Sequence, residues 1–414
     1  MTRIIAILAA CSVAADASAQ TPSARPPRQP RQTVVATVNV SGAAADDSAD
    51  TFGDGRTAVG QHGDADALIV YARRAGKLTL GISGRSVARY NPGASGMTAT
   101  RHQGTVDIAA AYTHTQFHVV QSGSYSPFYQ FGAQVNPEAT PLDETLQSHG
   151  DFANARLTAF GSATAAELKQ EIGRRSALAM SYDFHRTTFD GRALDFTSQN
   201  AAISLSRRLT RFVSLHTGYA YRTAETAAAL AGAVVDHAVD LGLDYSRNLS
   251  PSRKTAFNFS SGSSLTPRGN GMAVNVTGNA MLARQIGRTW SARVGGTRSV
   301  QLLEGFAAPV LTDAVTATIG GSLSRRTGVS TSVGYAHGQS ITADHATTTF
   351  GNWTGGAGFH AALSRSTSID AQYFYYGHRF DPRLLAGASV PRELTRQGVR
   401  VGLTWRATLL RSKG

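Results

Sequence analysis

Val213, Leu215, Tyr219 and Tyr221 fall on one parity of the chain, while Ser214, His216, Gly218 and Ala220 fall on the other. The same alternation recurs from Val235 to Tyr245, where Val235, Val239, Leu241, Leu243 and Tyr245 alternate with Asp236, Ala238, Asp240, Gly242 and Asp244. Side chains change face at every residue of a strand, so each stretch predicts a strand with one apolar and one polar side. The alternating runs last roughly 10 to 14 residues. Globular strands centre on about 5 to 6, whereas a tilted strand needs roughly 9 to 11 to cross a bilayer.

The strands come in a repeated phrase. "LSRRLTRFVSLHTGYAY" from Leu205 returns as "LARQIGRTWSARVGGTR" from Leu282, "LSRRTGVSTSVGYAHG" from Leu323 and "LSRSTSIDAQYFYYGH" from Leu363, with looser copies from Leu168 and Tyr245. Steps of about 37 to 41 residues between them mark a repeated supersecondary unit. Each basic patch is short and reads as a turn. The intervening segments 91–103, 126–150, 225–233, 304–310 and 381–393 are longer and more varied. Short turns at one end and long loops at the other define a transmembrane barrel whose apolar face meets lipid and whose polar face lines the interior. The arginines of the short turns then sit near phospholipid headgroups.

The fold expected is therefore all-β: an antiparallel up-and-down transmembrane barrel of about 18 strands, with 16 also compatible. Candidate strands run from 33–40, 66–74 and 77–90, through 104–114 and 152–170, to 396–409. "TVVATVNV" at 33–40 is the weakest of them. Barrels of about 16 to 18 strands leave an aqueous channel.

The chain opens with Arg3, an apolar run from Ile4 to Ala15, and Ala17-Ser18-Ala19. That order predicts a secretory signal peptide over 1–19, removed after Ala19 and taking Cys11, the single cysteine, with it. A Pro/Arg-rich tail over 20–32 is expected to be extended and periplasmic. The barrel occupies 33–414. A formal charge of +13 would raise nucleic acid as a partner in a cytosolic protein. The leader sequence argues against it, and the arginines fall at turns and on particular strands.

In the last strand, Arg400, Gly402, Trp405 and Ala407 resemble the terminal assembly signal of outer-membrane barrels, which implies the barrel assembly machinery as a partner. The tail "LRSKG" departs from the aromatic ending such proteins commonly have. Over roughly Thr33 to Leu409, the repeated "LSR…R…V…Y" hairpins and "SGAAADDSADTF" make the chain resemble the outer-membrane β-barrel porins of Gram-negative bacteria, including those beside exopolysaccharide or exosortase systems. The resemblance implies an outer-membrane pore in contact with lipid and passing small solutes. It supplies neither a substrate nor catalytic residues. The alternative is a structural or assembly component of a polysaccharide export or secretion system, with the tail as its docking arm. Oligomeric state stays open.

Candidate pathway residues follow from parity and loop length. The loop 126–150 carries Phe128, Tyr129, Phe131, Glu138, Asp143 and Glu144, and is expected either to fold into the lumen as a constriction or to pack on the rim. Arg222, Arg293 and Arg400 have lumen parity, as do Asp236, Asp240, Asp244 and Asp370. The sign of ion selectivity is left open between these two sets. Phe374 and Tyr376 should point inward. There is no H-E-x-x-H, G-x-S-x-G or phosphate-cradling loop, and the histidines lack metal-ligand spacing. The expectation is no enzyme activity, no catalytic residue, no metal and no cofactor.

Overall fold

The computed structural model describes residues 32–47, 61–92, 97–130, 157–190, 194–226, 233–248, 254–268, 271–304, 306, 309–341, 348–381 and 391–412. The expected signal peptide over 1–19, with Cys11, and most of the Pro/Arg-rich segment lie outside them. Eighteen strands follow in chain order. They are β1 (Gln32–Asp47), β2 (Gln61–Ala75), β3 (Leu78–Asn91), β4 (Met97–Ala111), β5 (Thr115–Ser126) and β6 (Ala159–Glu171). Next come β7 (Ser176–Phe189), β8 (Phe196–Arg208), β9 (Val213–Thr226), β10 (Val234–Asn248), β11 (Thr255–Arg268) and β12 (Gly271–Ile286). The last are β13 (Trp290–Gln301), β14 (Val310–Ser322), β15 (Thr327–Ser340), β16 (Thr349–Ala362), β17 (Thr367–Phe380) and β18 (Glu393–Ser412).

Each strand pairs antiparallel with its sequence neighbours, and β1 pairs with β18 from Gln32–Ser412 to Asp47–Arg396, closing the ring. Closure matters because lipid offers no hydrogen-bond partner to an open edge. The outward parity is apolar and open: Val40, Leu241 and Val274 are 59, 60 and 69% exposed, and Val399, Val401, Leu403 and Trp405 continue the belt. An apolar surface this continuous is stable only against hydrocarbon. The inward parity carries glycine, serine, threonine and the charges. The molecule is a closed 18-stranded transmembrane β-barrel.

The repeated phrase has a local cause. Thr210, Ser324 and Ser364 each follow a leucine, and each hydroxyl accepts hydrogen bonds from the amides two and three residues on: Phe212 and Val213, Arg326 and Thr327, Ser366 and Thr367. The preceding Leu209, Leu323 and Leu363 amides donate to Val213, Thr327 and Thr367 carbonyls at 2.9–3.0 Å. The Leu-Ser/Thr-Arg unit is thus a side-chain-stapled turn. Elsewhere the short turn uses Gly76 and Gly287, at φ 60° and 65°, where a Cβ would be strained.

Several boundaries differ from the sequence expectation. β1 is 16 residues long and paired on both sides, although its apolar pattern is short. β4 starts at Met97, so most of the expected loop 91–103 is strand. β6 starts at Ala159, not 152. β18 runs on to Ser412, and the "LRS" of the tail pairs with the start of β1. The terminal residues that looked like a departure therefore complete the seam.

Candidate solute pathway

The inner wall is polarised. On one side, Arg396 and Arg400 of β18, Arg85 and Arg89 of β3 and Arg101 of β4 stand on the inward parity, with β1 and β2 between them. Arg101 stands opposite Val87, between the positions of Arg85 and Arg89 on the neighbouring strand. Asp64 anchors this side. Its side chain is wholly buried (0% exposed) and accepts from Arg89 Nε at 2.9 Å and from Arg400, which also donates to Ser41 at 2.9 Å. Asp66 takes Arg85 through a bidentate contact of 2.6 and 3.0 Å. Asp107 faces His118 at 3.2 Å. Bidentate arginine–carboxylate pairs of this kind fix side-chain orientation.

Half-way round the ring, β9–β11 present the acidic side. His216 lies between Asp240 (Nε2, 3.1 Å) and Asp244 (Nδ1, 3.0 Å). Asp244 also accepts from Ser260 of β11 at 2.7 Å. Asp236 is buried, with Arg222 at 3.6 Å.

A loop crosses towards this side. The β12–β13 ladder ends at Gly278–Arg298, whereas β13 stays paired with β14 up to Gln301–Val310. The outer end of the β13–β14 hairpin is thereby released from β12, and it reaches the wall formed by β7–β9. Arg222 donates to the Val300 carbonyl at 3.2 Å. Glu304 Oε1 accepts from Thr187 at 2.7 Å and lies 2.9 Å from His185 Nδ1. On its other flank, Leu303 and Phe306 pack against Val310, Phe350 and Phe380. Burial pushes the Glu304 carboxyl up to about 8. Gly338 makes room for this anchor: the Phe350 ring occupies the space a Cβ would need.

The crossing segment leaves two cavities beside it. One, of about 360 Å³, lies among Asp183, His185, Asn200, Arg222, Leu302 and Leu303. The other, of about 370 Å³, lies between β9–β12 and the β13–β14 hairpin.

Among the residues singled out from the sequence, Arg222, Arg400, Asp236, Asp240, Asp244 and Asp370 stand on the inner wall. Asp370 joins a polar chain across the closing seam: His360 at 2.7 Å, then Thr404 at 2.9 Å, which accepts from Asn39 at 2.7 Å. Arg222, Arg293 and Arg400 do not gather. They sit on β9, β13 and β18, and Arg293 lies opposite Ala283 and Thr318. Gly402 faces inward, while Trp405 and Ala407 share the outward parity. Phe374 and Tyr376 are fully buried with Leu394 on the inner wall. Phe131, Glu138, Asp143 and Glu144 lie outside the described residues. Tyr129 packs edge-on to Phe189 at 4.8 Å, in a cluster with Ala159, Leu194 and Leu157 at the outer ends of β6–β8, and Ser126 donates to the Phe128 carbonyl at 2.6 Å.

The sequence reading missed His62, Asp64, Asp66, Arg85, Arg89, Arg101 and Arg396, and it treated Glu304 only as the start of a loop. Parity offered a signal for Arg85 and Arg89, which alternate with Ile82, Gly84 and Ala88. No helix among the described residues is long and apolar enough to cross a membrane, and no group of three or more His, Cys, Asp or Glu among them is arranged to hold a metal ion.

The fold and pathway define a large transmembrane barrel with a charged, partitioned interior. No family model matches the sequence, and no curated protein does. Solved structures similar to this chain include Pseudomonas aeruginosa OpdL, at 12% identity over 92% of this chain and 99% of that one, with a TM-score of 0.45. P. aeruginosa OccK2 (OpdF), in complex with glucuronate, aligns at 8% identity over 92% and 98%, with a TM-score of 0.47. Acinetobacter baumannii OccAB3 aligns at 9% identity over 91% and 99%, with a TM-score of 0.45.

Proposed function

We propose that this protein is an outer-membrane channel for passive passage of small hydrophilic solutes, exported with loss of residues 1–19. One observation carries the reading: charged walls stand on opposite sides of a closed barrel, and Leu302, Leu303, Glu304 and Phe306 reach into it from the end of β13. A barrel needs none of these buried charges for stability, since a buried ion pair is at best weakly stabilising against an apolar replacement. Opposed charges in a narrow lumen instead orient a polar solute and set ion preference.

The test is liposome swelling with the refolded chain from Gln20. A pentose or small amino acid should swell the vesicles quickly and a trisaccharide slowly. Equal failure of all solutes, from a barrel that has inserted, would contradict the proposal.

A further inference from the structure

The cavity of about 370 Å³ beside the crossing hairpin has a chemistry distinct from the rest of the lumen. Its volume is at the small end of the roughly 300–1,000 Å³ typical of small-molecule sites. It exists because two ladders stop short. β10 and β11 pair only from Asp244–Ser260 to Asn248–Ala256, and β12 leaves β13 above Gly278–Arg298. The wall opens there, and β11, β12, β13 and β14 contribute inward side chains to one hollow.

Hydroxyl and amide side chains make up more than half of the lining, among them Thr277, Asn279, Thr297, Ser299, Gln301 and Thr312, with His216, Asp240 and Arg298 beside them. The charges at its edge are already engaged. Asp240 takes His216 on Oδ2 at 3.1 Å and the Ser263 amide on Oδ1 at 3.2 Å. Arg298 takes Asp313 at 3.3 Å. No Phe, Tyr or Trp lines it among the described residues. Thr312, on the inward parity of β14, is one of the lining residues; it is 3% exposed and its hydroxyl has no hydrogen-bond partner among the described residues. A buried hydroxyl left unpaired is destabilising, so a solute hydroxyl that pairs with it gains affinity.

We propose that this hollow is a binding subsite for a small neutral polyhydroxylated solute, of monosaccharide or sugar-alcohol size, with the Thr312 hydroxyl as one of its contacts. A carboxylate would meet Asp240 at the edge, with Arg298 already paired to Asp313. Several hydroxyls of one solute, by contrast, match donors and acceptors arrayed on four strands. The proposal rests on the channel reading for access through the lumen.

The test is saturation-transfer NMR with glucose on the full mature chain in detergent, alongside Thr312→Val and with gluconate as the charged control. Heat-modifiable gel mobility checks that the isosteric variant is folded. Saturable transfer from glucose, weakened roughly three- to tenfold in Thr312→Val, is expected for loss of one hydrogen bond. Three results would overturn the subsite: no saturable transfer, equal transfer from gluconate, or an unchanged affinity in folded Thr312→Val. Planar-bilayer current separates the two claims. Current without glucose binding sinks the subsite and leaves the channel; binding without current does the reverse.

Discussion

Glu304 Oε1 lies 2.9 Å from Nδ1 of His185, although one residue leaves the end of β13 and the other belongs to β7. The contact requires the segment after β13 to span part of the lumen. Its carboxyl, pushed up to about 8 from an ordinary 4.5, holds a proton that a released loop would give up. Between those two values the docked state binds more protons, so docking weakens as pH rises and is weakest above about 8. His185 faces the carboxyl, and Asp183 and Arg222 line the adjoining cavity. Single-channel conductance should therefore be larger at pH 9 than at pH 6. In Glu304→Gln, whose amide oxygen can still accept from Thr187, the pH dependence should flatten. A wild-type conductance that falls with pH would contradict the latch.

The same segment is anchored by Phe306 against Val310, Phe350 and Phe380. Truncating a buried phenylalanine typically costs about 3–5 kcal/mol. Here the cost falls on loop docking, because the ring belongs to the loop while its partners belong to the wall. Phe306→Ala should raise conductance at pH 6 towards the pH 9 value and leave the barrel's heat-modifiable mobility unchanged. A variant that loses barrel stability but keeps its conductance would place Phe306 in the barrel's own support.

Asp64 accepts from both Arg89 and Arg400. Removing it takes a carboxylate from two arginines at once; removing Arg400 leaves the carboxylate with Arg89. Breaking a buried pair from one side typically costs about 3–5 kcal/mol. Asp64→Asn should thus lower the urea midpoint of the refolded barrel more than Arg400→Met does. The reverse order would show that Asp64 is held chiefly by groups other than these arginines.

How far the sequence announced this arrangement depended on the physics of each part. Alternation over long runs made the strands legible, and the Leu-Ser/Thr-Arg stapled turns made the hairpins legible, because both are local. The start of β2 was hidden because Gly63, Ala65 and Ala67 on its outer face are too small to register as apolar against His62, Asp64 and Asp66. Lumen parity was readable for Arg222, Asp240 and Asp370, but partners were not. Which strand faces which across a ring is set by closure, and closure leaves no periodic trace. The crossing loop was hidden for the same reason. Its one local clue is an acidic Glu304 set among Leu302, Leu303 and Phe306, a poor composition for a segment standing in water.

The lipid-facing assignment has its own test. Val401 is half exposed, in the middle of β18, and flanked on its face by Val399 and Leu403. An arginine near the bilayer midplane costs about 2–4 kcal/mol in such barrels. Val401→Arg should lower the folding free energy in lipid vesicles by that order, while Thr404→Arg on the inward face should cost less. Equal costs would reverse the assigned faces.

Ionic current through single refolded barrels in a planar bilayer tests the central claim most directly. The account predicts stable, ohmic steps at neutral pH that grow in Phe306→Ala, as expected of an aqueous lumen narrowed by the Glu304 and Phe306 contacts. Barrels that insert, show heat-modifiable mobility and yet stay silent in both the wild type and Phe306→Ala would contradict it.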